Sequence, residues 1–463
     1  MGTKLLIRAY NVGCGDCIYV RIPDGKDGFH ILIDCGKKGG TELLEKAVKH
    51  IEEELLPPDK TAGKKRLDLL IATHRHEDHI KGFDPEWFKN IAIRDVWLSV
   101  AMDPNHPQGR KTNSLHSFAT QAMRALSSPG QAMSSEIELL ASLYGVSNDA
   151  ADNFLMKSIP KANNIKPKFV HSGMAGDSLG LELPPETAIH VLAPEKDIDH
   201  FYLGEEIDTS LKSLQGTSAA FAKNQSSAPG VKPNNISAAD FRALQSRMLS
   251  NGLAFAAKDS SIQNNLSVVV LLEWKKRRLL FVGDAEWEGE FHDGKHNGSW
   301  NVMWEKHRKT HLSAPVDFLK IGHHGSINAT PPPADTQPKS KKAAAGAARV
   351  FEILDTILPV PKKGTKPTAK AIVSTEREFY DPIPECKLLV DLARRVSNTC
   401  NYGKRIQQVG IDAKSIWATD RAKRKKFYEK YEKEFLDEPQ PLRTDLEFVL
   451  NKKDFIDVEI EPA

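Results

Sequence analysis

His74-Arg75-His76-Glu77-Asp78-His79 stands just after the apolar run Leu69-Leu70-Ile71-Ala72, so three imidazoles and two carboxylates crowd the exit of a buried-strand candidate. Nitrogen and carboxylate oxygen at this density suit zinc, manganese or iron better than calcium, which prefers oxygen alone. Two residues apart on an extended loop, His74 and His76 can converge on one ion. Asp78 and His79, entering a following helix, can turn towards a second. Two further ligand-type sites stand at strand ends downstream, Phe281-Val282-Gly283-Asp284-Ala285 and Lys320-Ile321-Gly322-His323-His324-Gly325-Ser326.

The elements that must position these groups are legible from periodicity. Lys4 to Tyr10, Cys17 to Ile22 and Phe29 to Asp34 read as strands separated by glycine-rich or Pro-Asp-Gly turns. Leu43, Leu44, Ala47, Val48, Ile51 and Leu55 recur at helical spacing within Thr41 to Leu56, and Arg66 to Ala72 reads as one buried strand. Strands return at Ala188 to Ala193, Leu266 to Glu273, Arg278 to Val282 and Val316 to Ile321, the middle two joined as a hairpin through Trp274-Lys275-Lys276-Arg277. The stretches 102–167 and 198–262 are polar and helical without a chemical motif, and are expected to be helical insertions placed to cap a site. Thr330 to Lys342 is Pro- and Lys-rich and too polar to pack, so 330–370 is expected to be a linker carrying one helix, Ala343 to Leu358. Residues 371–463 form a basic C-terminal part that completes a single domain, 1–463.

The order H-x-H-x-D-H, a strand ending Gly-Asp and a strand ending in His resembles the metallo-β-lactamase-fold hydrolases. Tyr10-Asn11-Val12-Gly13-Cys14-Gly15-Asp16-Cys17, Ile33-Asp34-Cys35-Gly36, Asn264-Asn265-Leu266-Ser267 and His323-His324-Gly325-Ser326 are similar to one branch of that superfamily, the hydrolase domain of ComEC-type competence DNA-uptake proteins. The resemblance covers the strand framework from Lys4 to about Asp445. It implies an α/β fold, a four-layer αββα sandwich with helical insertions, holding one or two divalent metal ions, zinc or manganese. Carried over position by position, His74 and His76 bind the first metal, Asp78, His79 and His323 the second, and Asp284 bridges. His324 becomes a supporting group or proton donor, so Asp78 and His324 are the catalytic candidates. Asp34 orients a ligand histidine by fixing its tautomer. The sequence departs from the family pattern where many members place a further metal-binding histidine. Asn264 and Asn265 stand there, with His171, His190 and His200 as candidate substitutes. A second departure is Glu378-Phe379-Tyr380-Asp381-Pro382, where a histidine often precedes the proline.

Composition excludes some classes. Apolar residues are 40% and charged residues 27% of 463, ordinary for a globular chain. No apolar run approaches the ~20 residues of a membrane span, and Met1 to Val12 lacks the plan of a signal peptide, so a cytoplasmic location without a membrane partner is expected. Five cysteines, an odd number thinly spread, argue against a disulfide framework. The net charge of +3 is a cancellation: residues 338–433 hold 22 Lys and Arg against 11 Asp and Glu. Arg421, Lys423, Arg424, Lys425 and Lys426 lie beside Phe427 and Tyr428, a pattern suited to phosphate backbones and base stacking. The leading expectation is a phosphodiesterase or nuclease acting on DNA through a metal-bound hydroxide. The alternatives are a metallo-hydrolase of a small ester (nucleotide, phosphocholine ester, lactone or thioester) and a non-catalytic, metal-stabilised scaffold. The sequence names no protein partner.

Overall fold

The computed structural model describes residues 3–61, 63–126, 146–203, 254, 256–334, 347–376, 383–398 and 453–463. The basic run 421–426, the segment around Asp381 and Thr444-Asp445 lie outside the described residues. The described strands are β1 (Leu5–Tyr10), β2 (Cys17–Ile22), β3 (Phe29–Cys35), β4 (Lys65–Leu67), β5 (Leu69–Ala72), β6 (Ile91–Ile93), β7 (Val96–Ser99), β8 (Lys168–Val170), β9 (Thr187–Ala193), β10 (Val269–Trp274), β11 (Arg277–Phe281), β12 (Phe318–Ile321), β13 (Lys370–Val373) and β14 (Phe455–Ile460). They form a seven-stranded sheet in the order β14-β1-β2-β3-β5-β7-β8, a five-stranded sheet β13-β12-β11-β10-β9 and a short pair β4-β6. With helices packed against both larger sheets, the fold is mixed α/β.

Strand alternation sorts the side chains between faces. Leu5, Ile7 and Ala9 of β1, Ile31 and Ile33 of β3, and Leu69 and Ile71 of β5 share one buried cluster with Val270 and Leu272 of β10, Leu279 and Phe281 of β11, and Phe318 of β12. The two sheets therefore pack face to face. Their alternate residues point outward: Leu32 and Leu70 join Leu44, Ala47 and Val48 of the helix Glu42–His50. On the other side Leu271, Leu280 and Leu319 join Trp300 and Trp304 of the helix Ser299–His307 and Ile353 and Ile357 of the helix Ala347–Ile357. At roughly 1.5–3 kcal/mol per buried large apolar side chain, these three clusters supply the main driving force of folding.

Two local outcomes differ from the sequence reading. Arg66 to Ala72 is two strands, β4 pairing with β6 and β5 entering the large sheet between β3 and β7. The break falls at Asp68, whose carboxylate accepts from the backbone N–H of His30 at 2.9 Å and pairs with Arg66. Strand β10 begins at Val269 rather than Leu266, because residues 256–265 are helical and Leu266 N–H still bonds to the Ile262 carbonyl at 2.9 Å. Of the stretch 102–167, the helices Gly109–Leu126 and Val146–Asn153 are described. The β10–β11 hairpin turns through Lys275 (φ 45) and Lys276 (φ 66), the pair of left-handed residues that a tight two-residue hairpin turn requires. Among the described residues no helix is long and apolar enough to cross a membrane.

For the site, direction matters most. Strands β3, β5 and β7 are mutually parallel, as are β11, β12 and β13, so their carboxyl ends come out at common edges. The carboxyl ends of parallel strands are where open α/β sheets gather functional groups. Gly36, just beyond β3, lets the helical turn Glu77–Ile80 close onto that edge, since a Cβ there would collide with the backbone of Asp78 and His79. Gly36→Ala is expected to cost about 1–3 kcal/mol through this overpacking, measured as a lower denaturant midpoint. An unchanged midpoint would show that the approach is not tight.

Candidate metal centre

Four short segments build the site. The loop after β5 carries His74 and His76, and the turn Glu77–Ile80 carries Asp78 and His79. Asp284 follows β11 across Gly283, whose left-handed φ of 53° and approach to the Ser267 Cβ (2.9 Å for an added Cβ) exclude other residues. After β12, His323 (φ 42) and His324 (φ 53) are both left-handed, a strained turn for residues other than glycine.

Their side chains converge as two buried groups of donor atoms able to hold a metal ion, His74–His76–Asp284 and Asp78–His79–Asp284–His324, with Asp284 common to both. His74 Nε2 is 3.0 Å from His76 Nδ1 and 3.9 Å from Asp284 Oδ2. His79 Nε2 is 3.1 Å from Asp284 Oδ1, and His324 Nε2 is 3.0 Å from Asp78 Oδ2. A third overlapping group is Asp16–Asp34–His79. There the Lys320 ammonium, reaching across from β12, already bonds Asp16 Oδ2 at 2.9 Å.

Asp34 stands at the end of β3 in a left-handed conformation (φ 57). It accepts from Thr73 N–H and Thr73 Oγ1, both at 2.7 Å, and from His79 Nδ1 at 2.7 Å. That last bond fixes the ring and directs Nε2 towards Asp284, the orienting contact that metal-ligating histidines make through their other nitrogen. Although burial opposes it, Asp284 and Asp34 raise His79 well above the usual histidine range. His74 Nδ1 is held in the same manner, 3.1 Å from Thr73 Oγ1 and 3.2 Å from Ser267 Oγ.

The donor atoms could hold a metal ion. Burial, with the neighbouring His79 and His76, pushes His74 well below the usual histidine range, and burial pushes His76 down to about 4, so both rings are neutral and offer lone pairs at neutral pH. Burial alone would raise the carboxyl of Asp284, but His79 and His323 outweigh it and hold Asp284 well below the usual range. For Asp78 burial is likewise outweighed, by Lys38 and then His324. The buried Asp78 Oδ1 has no hydrogen-bond partner, so it is free to face a cation.

Of the paired histidines, His324 rather than His323 lies with the other donors. His324, 1% exposed, joins Asp78, His79 and Asp284, whereas His323 is not in either group: its Nε2 is 4.0 Å from Asp284 Oδ2 and its Nδ1 3.4 Å from Glu286 Oε1. Asn264 and Asn265 bond the loop that carries Asp284. Asn264 donates to Glu286 Oε1 at 2.8 Å, and Asn265 Oδ1 accepts from the backbone N–H of Glu286 (3.1 Å) and Ser299 (2.7 Å), so the pair pins the loop after β11. His171 bonds the Ser172 carbonyl, His190 faces Glu273 and His200 faces Asp293, so none of these three enters the groups.

Glu286, Thr73, Lys38 and the His116–Asp259 pair escaped the sequence reading. Glu286 had one available signal, a carboxylate two residues beyond Gly283-Asp284. His116 Nδ1 meets Asp259 Oδ2 at 2.9 Å, joining the helix Gly109–Leu126 to the helical stretch 256–265, and both residues act electrostatically on His76.

Zinc or manganese added in about thousandfold excess over its dissociation constant is expected to raise unfolding stability by about 4 kcal/mol, read by calorimetric melting. Asp34→Asn, which loosens His79, is expected to weaken metal binding about 10–100-fold, read by competition with a chromophoric chelator. Unchanged affinity would remove Asp34 from the orienting role.

No family model matches the chain, and no curated protein matches it. Among solved structures it aligns with a crystal structure of a protein of unknown function from Enterococcus faecalis V583, at 11% identity and a TM-score of 0.27, over 73% of this chain and 52% of that one. The chain thus spans about half the length of that protein, and a likeness this distant carries no argument for fold or function.

Proposed function

We propose that this protein is a metal-dependent hydrolase of the metallo-β-lactamase fold, acting in the cytoplasm as a phosphodiesterase on DNA. The observation that carries the reading is the sharing of Asp284 by two buried sets of nitrogen and oxygen donors, the pattern of a two-ion centre. Two face-to-face sheets with helices on their outer sides support an αββα sandwich as the scaffold. The preference for DNA rests on the sequence, through the ComEC-like motifs and the basic run 421–426.

In this reading His74, His76 and Asp284 hold one ion, zinc or manganese, and Asp78, His79, Asp284 and His324 hold the other. A bound divalent ion lowers the pKa of its water to about 7 and neutralises charge on phosphoryl oxygens. The protein's own groups do the rest. Asp34 keeps a proton on His79 Nδ1, and Thr73 and Ser267 orient His74. His323 is 22% exposed at its side chain, with Glu286 beside its Nδ1, so it is the histidine of the cluster that faces incoming substrate.

The test is turnover of single- and double-stranded DNA by the full chain with Mn²⁺ or Zn²⁺. His76→Ala and Asp284→Ala are each expected to reduce the rate by more than about 100-fold. Intact DNA alongside cleavage of a small phosphodiester or thioester would move the substrate to the small-molecule class. Bound metal without any turnover would leave a scaffold.

A further inference from the structure

The two donor groups differ in one respect that the ligand pattern alone does not show: one of them already contains a protein cation. Lys38 follows Asp34-Cys35-Gly36, its side chain is 4% exposed, and its Nζ lies 3.1 Å from Asp78 Oδ2. That is the same oxygen that His324 Nε2 approaches at 3.0 Å. The lysine backbone is anchored as well, its N–H bonding to the Cys14 carbonyl at 2.9 Å, so the ammonium is delivered to Asp78 by a fixed loop. On the other side of Asp284 the charged partners are different. Among the described residues the ion-pair partners of Asp284 are His74, His79 and His323. Arg75, between the two ligand histidines, directs its guanidinium to Asn113 and Asp152 on the helical segments.

A fixed positive charge in contact with a ligand oxygen opposes a divalent cation at short range in a buried site, where such repulsion is strong. Admitting the ion also requires breaking a buried ion pair and finding new partners for the ammonium. We propose that Lys38 makes the two metal positions unequal: the His74–His76–Asp284 position fills first, and the Asp78–His79–Asp284–His324 position fills only when an ion displaces Lys38 from Asp78. This rests on the metal-hydrolase reading and adds to it that the centre works as a tightly held ion beside an exchangeable one. Asp78 Oδ1, buried and without a hydrogen-bond partner, is the atom left open for the second ion while Oδ2 holds the lysine.

The experiment is calorimetric titration of metal-free full-length protein with Zn²⁺, together with elemental analysis after gel filtration. The wild type is expected to bind in two steps whose dissociation constants differ by about 100-fold or more, and to retain about one ion per chain. Lys38→Met, which keeps the stem and removes the charge, is expected to tighten the second step about tenfold or more, to leave the first unchanged and to retain about two ions. Asp78→Asn is expected to abolish the second step alone, and it keeps the proposal testable should the lysine variant fail to fold. Two wild-type steps within tenfold of each other, or a Lys38→Met protein whose second step does not tighten, overturn the role of Lys38 while leaving the hydrolase reading intact. A wild type that binds no zinc overturns both.

Discussion

The centre depends on burying three carboxylates and four imidazoles together without leaving any charge uncompensated. Asp34, Asp78 and Asp284 are each about 1% exposed, and an isolated carboxylate at such depth would be prohibitively costly. Each is instead matched: Asp34 by the Thr73 hydroxyl and backbone N–H and by His79, Asp78 by Lys38 and His324, Asp284 by His79 and the His323 backbone. Removing one partner from such a set leaves a buried charge exposed to its full desolvation penalty, so the cluster is specified as a unit.

The scaffold answers this constraint by stitching the site segments to one another. The backbone N–H of Asp16 bonds the Asp78 carbonyl, and Gly36 N–H bonds the Asp16 carbonyl, both at 2.9 Å, so the β1–β2 turn, the end of β3 and the ligand turn form one knot. Lys320 crosses from the five-stranded sheet to Asp16. On the opposite flank Glu286 gathers Ser261, Asn264 and Asn265, which ties the helical stretch 256–265 to the loop carrying Asp284. The packed sheets supply the stability, and these polar links convert it into position.

Much of the strand framework was legible because burial on both faces leaves a strong apolar signature, as in Leu5-Leu6-Ile7 and Leu69-Leu70-Ile71-Ala72. The β10–β11 hairpin was legible from its short polar turn. The break at Asp68 was not, since Arg66 to Ala72 is apolar enough to read as one strand, and the carboxylate that divides it is occupied by His30, remote in sequence. Asn264 and Asn265 drew attention by position, but their work is to hold Glu286 and the loop after β11. Local pattern cannot distinguish that role from contact with a metal.

By itself the sequence determined that histidine and carboxylate donors would leave the carboxyl ends of apolar strands, because strand periodicity and the order of polar residues after each strand are local properties. Tertiary structure alone decided which donors meet. Asp284 becomes common to both groups only when the two sheets pack, and it is His324, not its neighbour His323, that comes to lie with Asp78 and His79. Lys38 reaches Asp78 only because Gly36 lets the ligand turn close on β3. Each of these outcomes is a contact between residues distant in sequence, set by packing and by the need to neutralise buried charge.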